Sequence, residues 1–434
     1  VYAEFETCLS DSNCGAELVS INDQRYNEFN YQVNIRKMVK PLGYILIKTT
    51  KDVQKAVSCA KTFGVSLSIM SGKHAFEKSS YGNNNNNYVI DLSQLKNVTV
   101  NTTTMTATVE PGITLMSLSE ILWNAGKYGF TVGTCPSVGL SGFALGGGFS
   151  LTSRTFGLAV DRMIGFKIVT ADEQVRNVSK DENSDLFWAL RGAGNRHFGI
   201  VTQLKIKIFN ATNEFIWIRK QYTGILCQLR QLFTQWQAWI AANPSDSVTA
   251  DFVKGQFSCS QFTLTFVIRN KTKIDSENQL KLIMSKFTSI TMSDVRTGSY
   301  MDVLNATASD NWAAKNRQFY YRSKGFYVSK FLNESEITSF VIAINTNYHA
   351  IFVASMYGGE INKRQRNETA YVHRTSLYVM QFIVQLEVAN YGTVEITQLL
   401  GKTYEDSLKS LVGQLQFMSN GEHYQNYEDY DLLD

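Results

Sequence analysis

The sequence predicts an α+β fold in two domains. Two observations carry this. Helical and strand periodicities interleave up to about residue 208 without settling into a regular βαβ repeat. From about residue 215 the texture changes to long helices separated by paired strands, which reads as an antiparallel sheet with helices packed on it. A length of 434 residues also exceeds what one simple core supports.

The elements follow in chain order. Val53, Ala56, Val57, Ala60 and Phe63 form one helical stripe over 53–63. SLSIM at 66–70 and YVIDL at 88–92 read as strands, separated by the polar tract Asn83–Asn87. Residues 98–109 alternate as a strand pair that Pro111-Gly112 breaks. Helical spacing returns over 114–125. In the second half, helices are expected at 226–240, 276–287 and 335–345, and strands at 250–257, 261–269, 350–357 and 376–387. The implied units are 1–209, 210–417 and a return segment 418–434.

Composition removes several function classes. With 44% hydrophobic and 18% charged residues the chain is globular, not disordered. It has no apolar run long enough to span a membrane. The formal charge of +4 is spread without a basic stripe, so no nucleic-acid partner is expected. No cysteine pair has the C-x-x-C spacing of a zinc site, and no metal is expected. Eight Asn-x-Ser/Thr sequons begin at Asn97, Asn101, Asn177, Asn210, Asn270, Asn305, Asn333 and Asn367. With six cysteines and no C-x-x-C pair, they point to a secreted glycoprotein with disulfides.

Three segments carry chemistry. Ser71-Gly72-Lys73-His74 follows the SLSIM strand directly. A tight turn there exposes backbone N–H groups that suit a phosphate, although a single loop histidine is more often a satisfied surface residue. GTCPSVGLSGFALGGGFS at 133–150 holds six glycines, among them Gly139, Gly142, Gly146 and Gly147, which let a backbone lie close against a flat ring or a pyrophosphate. It is neither a Walker A loop nor a dinucleotide fingerprint. Cys135 within it is a disulfide half, a packed thiol or a covalent attachment point. The third segment, DLFWALRGAGNRHFGIVTQLKIKIF at 185–209, runs helix, glycine turn, strand, with Ile200 near the head of the strand.

Together these segments resemble the flavin-binding half of the vanillyl-alcohol-oxidase superfamily, in its berberine-bridge-enzyme-like branch. The tail adds to the likeness through Tyr371-Val372-His373-Arg374 and Gln381-Phe382, read as a substrate-domain strand, and through Tyr424-Gln425-Asn426-Tyr427. Glu368–Arg374 and Tyr357-Gly358-Gly359 are nearest to the secreted carbohydrate oxidases.

The resemblance implies FAD held by two bonds, from His74 to the flavin 8α-methyl carbon and from Cys135 to flavin carbon 6. Ser71, Gly72, Lys73, Val138, Gly139, Gly142, Gly146, Gly147 and Ile200 are the implied cofactor contacts, with Val138 also governing dioxygen access. Tyr427 is the implied proton acceptor and Gln381 its partner or the substrate's. The phenol, with an ordinary pKa of about 10, needs help to act as a base. Cys8–Cys59 is the implied disulfide, leaving Cys14, Cys227 and Cys259 with one thiol over. A further segment completing the flavin domain is implied beyond Asp434.

Two departures stand out. Lys73 replaces a turn glycine, and is expected either to reach a phosphate or to distort the turn. Phe143 replaces a polar flavin-facing residue. The implied activity is oxidation of a saccharide's anomeric hydroxyl to a lactone, with dioxygen reduced to hydrogen peroxide. Allylic or benzylic alcohols or alkaloids are the alternative substrates, and a non-catalytic flavoprotein or binding module the alternative class. Trp217, Tyr222, Trp236, Trp239, Trp312, Tyr320 and Tyr321 suit a sugar groove, although core packing is the better reading for Trp236 and Trp239.

Overall fold

The computed structural model describes the chain except residues 11–14, 78, 83, 196, 224–225, 243, 256–260, 309–316 and 433–434, and the side chains of 226–227. Cys14, Cys259, the Cys227 side chain, Trp312 and Asn83 therefore lie outside the described residues.

The N-terminal half holds two larger sheets and a two-stranded pair, Tyr128–Gly129 with Phe209–Asn210. The first orders its strands Glu17–Ser20, Gly43–Leu46, Asn87–Asp91 and Ser66–Met70, the last two pairings parallel. Helix Thr50–Phe63 crosses between the parallel strands and buries Val53, Ala56, Cys59 and Ala60 against it. Its start is fixed by a reciprocal Thr49–Asp52 capping box and its end by Gly64 at φ +65°. The implied Cys8–Cys59 disulfide is present, with Cα atoms 5.9 Å apart, and ties helix Tyr2–Leu9 onto this one. The second sheet is antiparallel, in the order Val98–Asn101, Thr106–Val109, Ile200–Lys207, Met163–Val169, Val175–Val178.

The C-terminal half is built on one antiparallel seven-stranded sheet. Its order is Val295–Gly298, Phe215–Thr223, Gln261–Arg269, Val248–Lys254, Ile351–Met356, Tyr378–Glu387, Phe319–Val328. Four helices, Leu226–Ala241, Lys273–Lys286, Glu334–Thr346 and Val394–Gln414, cover one face and share a single apolar core with it. Trp236, Trp239 and Tyr222 belong to that core, so packing accounts for them. Along each strand, alternate residues point the other way. Val248, Ala250 and Phe252 face the helices, whereas Thr249 and Asp251 belong to the opposite face.

Two elements depart from the sequence reading. Strand Phe319–Val328 is buried at all ten positions, so no apolar–polar alternation marks it. Its outer edge is covered at one end by Val33–Ile35, through Ile35 N–H to Phe319 O and Phe319 N–H to Val33 O, and at the other by residues 420–422. Tyr371–Arg374 is irregular, and the strand begins only at Tyr378. The segment is held by side chains instead: the Arg374 guanidinium forks onto Asp161 at 2.8 and 2.9 Å, and the Tyr371 hydroxyl meets those of Tyr327 and Tyr357 at 2.6 and 2.7 Å.

Closing the 51-residue separation between Cys8 and Cys59 restricts the unfolded chain. Cys8→Ala with Cys59→Ala is expected to lower stability by about 2–4 kcal/mol, read from the first guanidinium unfolding transition. An unchanged midpoint would show that the bond adds nothing.

Candidate active site

Two turns make one wall of the site. Strand Ser66–Met70 delivers the first, in which the Ser71 hydroxyl donates to Pro111 O at 2.7 Å. Gly72 lies so close to Gly139 that any Cβ on it would collide with the Gly139 backbone. Lys73 adopts φ +60°, the left-handed conformation that glycine takes freely, so the turn survives the substitution at a strain of about 1 kcal/mol. Its ammonium reaches Phe29 O at 3.5 Å and lies over the Phe29 ring, on the N-terminal segment. His74 Nε2 stands 2.6 Å from Ser137 Oγ, which brings the histidine turn against the Cys135–Gly139 loop. That loop is pinned by Leu115 N–H to Val138 O and Leu140 N–H to Ile113 O, each 2.9 Å. Gly142 is exposed, and a Cβ there would meet nothing within 4 Å.

The remaining glycines of the run are occupied by the protein itself. A Cβ on Gly146 would collide with Asn426, and one on Gly147 with the Tyr371 ring. Asn426 bridges Phe143 O at 2.9 Å and the Tyr424 hydroxyl at 3.0 Å, and accepts from Asn195 at 3.0 Å. The Tyr424 oxygen accepts Gly148 N–H at 2.9 Å and Phe149 N–H at 3.2 Å. The glycine run is thus the seat for the Tyr424–Tyr427 motif. Ile200 lies apart, its side chain packed in the core of the first domain with Ile45, Val53 and Val169.

The face of the seven-stranded sheet turned away from the four helices makes the opposite wall. It carries Thr249, Asp251, Thr265, Ser323, Ser355 and Gln381, with Asp251 directly opposite Ser355 and Thr265 in register. Gln381 donates to Ser323 at 2.9 Å. Tyr321 stacks on Phe76 at 4.7 Å, two residues past His74, and lies near Cys135. Tyr427 lies against Gly325, where a Cβ would be 3.3 Å from its ring, and 4.9 Å from the Tyr424 ring. His74, Cys135, Gln381 and Tyr427 therefore converge through Tyr321. Asp251 was not legible as a site residue; its only sequence signal is its place between two core-facing positions.

Electrostatics divide the titratable groups. Burial pushes the Tyr427 phenol well above its ordinary value, and the nearby Tyr424, Tyr357, Asp251 and Tyr321 add to the shift. Burial also raises Asp251 to about 7, although Ser355 donates to its carboxyl. The Oδ1 atom of Asp251 and the hydroxyl of Thr249 are buried with no protein hydrogen-bond partner. A buried polar atom of this kind calls for a partner, which a water or a polar ligand supplies.

An ion cluster positions the tail. Arg322, 1% exposed, pairs with Asp429 at 2.6 Å and with Glu77, and Lys324 meets Asp429 at 2.7 Å and Asp431 at 2.8 Å. Arg36 joins Glu77 at 2.6 Å to Glu405 at 2.8 and 2.9 Å. Glu428 accepts Glu77 N–H at 3.3 Å and the Ser79 hydroxyl at 3.2 Å. The residues on either side of the tyrosine motif are thereby tied to the histidine turn and to strand Phe319–Val328.

The site's chemistry fits a flavin. An imidazole nitrogen and a thiol, the nucleophiles that attachment to a flavin ring requires, stand on two turns in backbone contact, facing a wall with unfilled hydrogen-bonding atoms. Residues 41–179 match the FAD binding domain family model. The chain is 28% identical over 396 residues to a chitooligosaccharide oxidase of Gibberella zeae, covering 87% of this chain and 77% of that one. It is 36% identical over 209 residues to a xylooligosaccharide oxidase of Thermothelomyces thermophilus, covering 48% and 41%. The solved structure of Physcomitrella patens berberine-bridge-enzyme-like protein 1 superposes with a TM-score of 0.87 at 26% identity, over 98% of this chain and 91% of that one.

The cluster sets an acid limit. Burial alone would raise Glu405, but its bonds to Arg36 and Tyr320 and the Arg322 charge outweigh that and hold it at about 2. A carboxyl depressed on folding stabilises above its unfolded pKa of about 4.3 and loses that contribution as pH falls through the folded value. The melting temperature is expected to fall as pH drops from about 4.5 to 2, and Glu405→Gln to flatten that fall. Identical slopes for the two proteins would remove Glu405 from the acid transition.

Proposed function

We propose, from the premise that this chain is a berberine-bridge-enzyme-like FAD-linked oxidase acting on CH–OH groups, that it oxidises the anomeric hydroxyl of a mono- or oligosaccharide to a lactone and reduces dioxygen to hydrogen peroxide. The observation that carries the substrate class is the polar wall. Hydroxyls, an amide and a carboxyl on adjacent strands match a ring with a hydroxyl on nearly every carbon, and an apolar alcohol or alkaloid would leave them unpaired. The oligosaccharide oxidases among the relatives favour the same class.

FAD, when bound, accepts the carbinol hydride and passes two electrons to dioxygen. The chain's residues supply the rest. His74 and Cys135 would hold the ring through two covalent bonds, and Val138 near them would keep the approach of dioxygen open. Gln381, fixed by Ser323, orients the sugar. Tyr427 takes the hydroxyl proton. Seven of the eight sequon asparagines are exposed and Asn270 is half-buried, which with the Cys8–Cys59 disulfide supports a secreted glycoprotein.

The purified protein is expected to be yellow, with flavin retained through acid precipitation and about one flavin of added mass per chain. Peroxide should form with cello-, xylo- or chito-oligosaccharides. Tyr427→Phe should lower kcat about 10²–10⁴-fold with flavin content unchanged. Flavin that washes out in acid removes the covalent links. Peroxide formed from aromatic alcohols and from no sugar overturns the substrate class.

A further inference from the structure

We propose that Arg154 is a positioning residue for the oxidation: by gripping the ends of two adjacent wall strands, it sets how far the polar wall stands from Tyr427. The inference rests on the oxidase reading above and assigns a residue that reading does not use.

Arg154 belongs to the short helix Ser153–Phe156 of the first domain, yet its guanidinium reaches into the second. It is 4% exposed and pairs with no carboxylate among the described residues. Asp246, the acid beside it, is turned to Lys363 at 2.6 Å. The guanidinium donates to backbone carbonyls instead. Nε bonds Val248 O at 2.7 Å, Nη2 bonds Pro244 O at 3.0 Å and Ser245 O at 3.4 Å, and Nη1 bonds Tyr357 O. The neighbouring Thr155 hydroxyl donates to Asp246 O at 2.7 Å. Val248 opens strand Val248–Lys254, and Tyr357 follows the end of its partner strand Ile351–Met356. These two strands carry Thr249, Asp251 and Ser355 of the wall.

A guanidinium bonded to neutral oxygens gains less than one bonded to a carboxylate. What it supplies is shape. A planar fork with donors on several edges fixes several carbonyls at once in distance and direction, which an ammonium cannot do. The receiving turn is built to admit it. Gly358 and Gly359 adopt φ +99° and +56°. A Cβ on Gly358 would collide with the Arg154 guanidinium, and one on Gly359 with the Arg154 carbonyl oxygen. The Tyr357-Gly358-Gly359 motif is therefore the socket for Arg154.

The same stretch of backbone holds the tyrosine at its other end. Gly148 and Phe149 N–H groups donate to the Tyr424 oxygen, and Gly146 packs against Asn426. The Phe149 ring stacks on Tyr357 at 4.9 Å. Residues 146–154 thus tie the tail that carries Tyr427 to the strands that carry the wall, and Arg154 fixes the spacing. Tyr427 takes a proton from the same sugar that the wall orients, so the spacing enters the rate. A misplacement of about 1 Å can cost about 100-fold.

The test compares flavin-loaded wild type with Arg154→Lys, Gly358→Ala and the double variant. Gly358→Ala disturbs the socket while keeping the arginine. Flavin reduction by a cello-oligosaccharide is followed anaerobically by stopped flow, and reoxidation by dioxygen is followed separately. Each single variant should reduce its flavin about 10–100-fold more slowly at saturating sugar, with full amplitude per flavin and an unchanged reoxidation rate. The double variant should be no slower than the slower single one, because both act on one contact. Loss of folded enzyme alone would lower the amplitude and leave the rate constant at the wild-type value. Amide hydrogen exchange of the unliganded enzyme supplies a readout without turnover. Arg154→Lys should speed exchange in 244–254 and 351–357 and leave 319–328 and 378–387 unchanged. If no sugar reduces the wild-type flavin, the saccharide reading falls, yet exchange confined to those two segments still upholds the grip. Wild-type reduction rates in both single variants, multiplied losses in the double variant, or exchange that rises evenly across the sheet overturns the proposal.

Discussion

Everything distinctive about this site depends on Arg322. Its guanidinium sits where the histidine turn, the edge strand of the large sheet and the returning tail meet, and it contacts an acid from each neighbour: Glu77 and Asp429 directly, with Glu405 of the long C-terminal helix 3.6 Å away. Burying Glu77, Glu405 and Asp429 with Arg36, Arg322 and Lys324 has a desolvation cost, and a buried ion cluster often adds little net stability. Its value here is directional. The tail around Tyr427 is mostly half-buried and has little apolar surface with which to fix itself. Charged contacts with defined geometry hold it where hydrophobic packing cannot. Removing one partner would strand the others, which is the costly way to break such a group, at about 3–5 kcal/mol.

The two halves of the molecule contribute unlike things. The first domain supplies close backbone approach. Gly72 against Gly139, and Gly146 against Asn426, are contacts that no side chain would permit. The second supplies a rigid floor whose side chains alternate between helices and site, so one sheet provides a core on one face and hydrogen-bonding groups on the other. Lys73 shows how far the backbone requirement dominates residue identity. The chain keeps the left-handed turn with a lysine and sends the side chain elsewhere.

Much of this was legible in the sequence. Amphipathic periods placed the helices at 50–63, 115–126, 226–241 and 334–346 to within a few residues. His74, Cys135, Gln381 and Tyr427 were named from motif likeness, and folding brings them together. The parts that escaped notice share a physical cause. Phe319–Val328 is buried on both faces and holds Arg322 and Lys324, so its pattern suggests a loop. The helix Val394–Gln414 packs Thr397, Gly401 and Glu405 inward, with Gly401 leaving room for the Tyr320 ring, so its buried stripe is not apolar. Asp251 sits in Thr-Ala-Asp-Phe-Val, where alternation says only that it faces away from the core.

The ion cluster also sets a schedule. Arg36 and Glu405 are 369 residues apart in the chain, and Arg322 and Asp429 are 107 apart. Contacts of such separation close late, after the local helices and hairpins have formed. During synthesis the two turns that would cradle the flavin emerge long before Tyr427 does. A growing chain can therefore form the two turns while the segment that carries Tyr427 is still missing, and the site closes only when that segment docks.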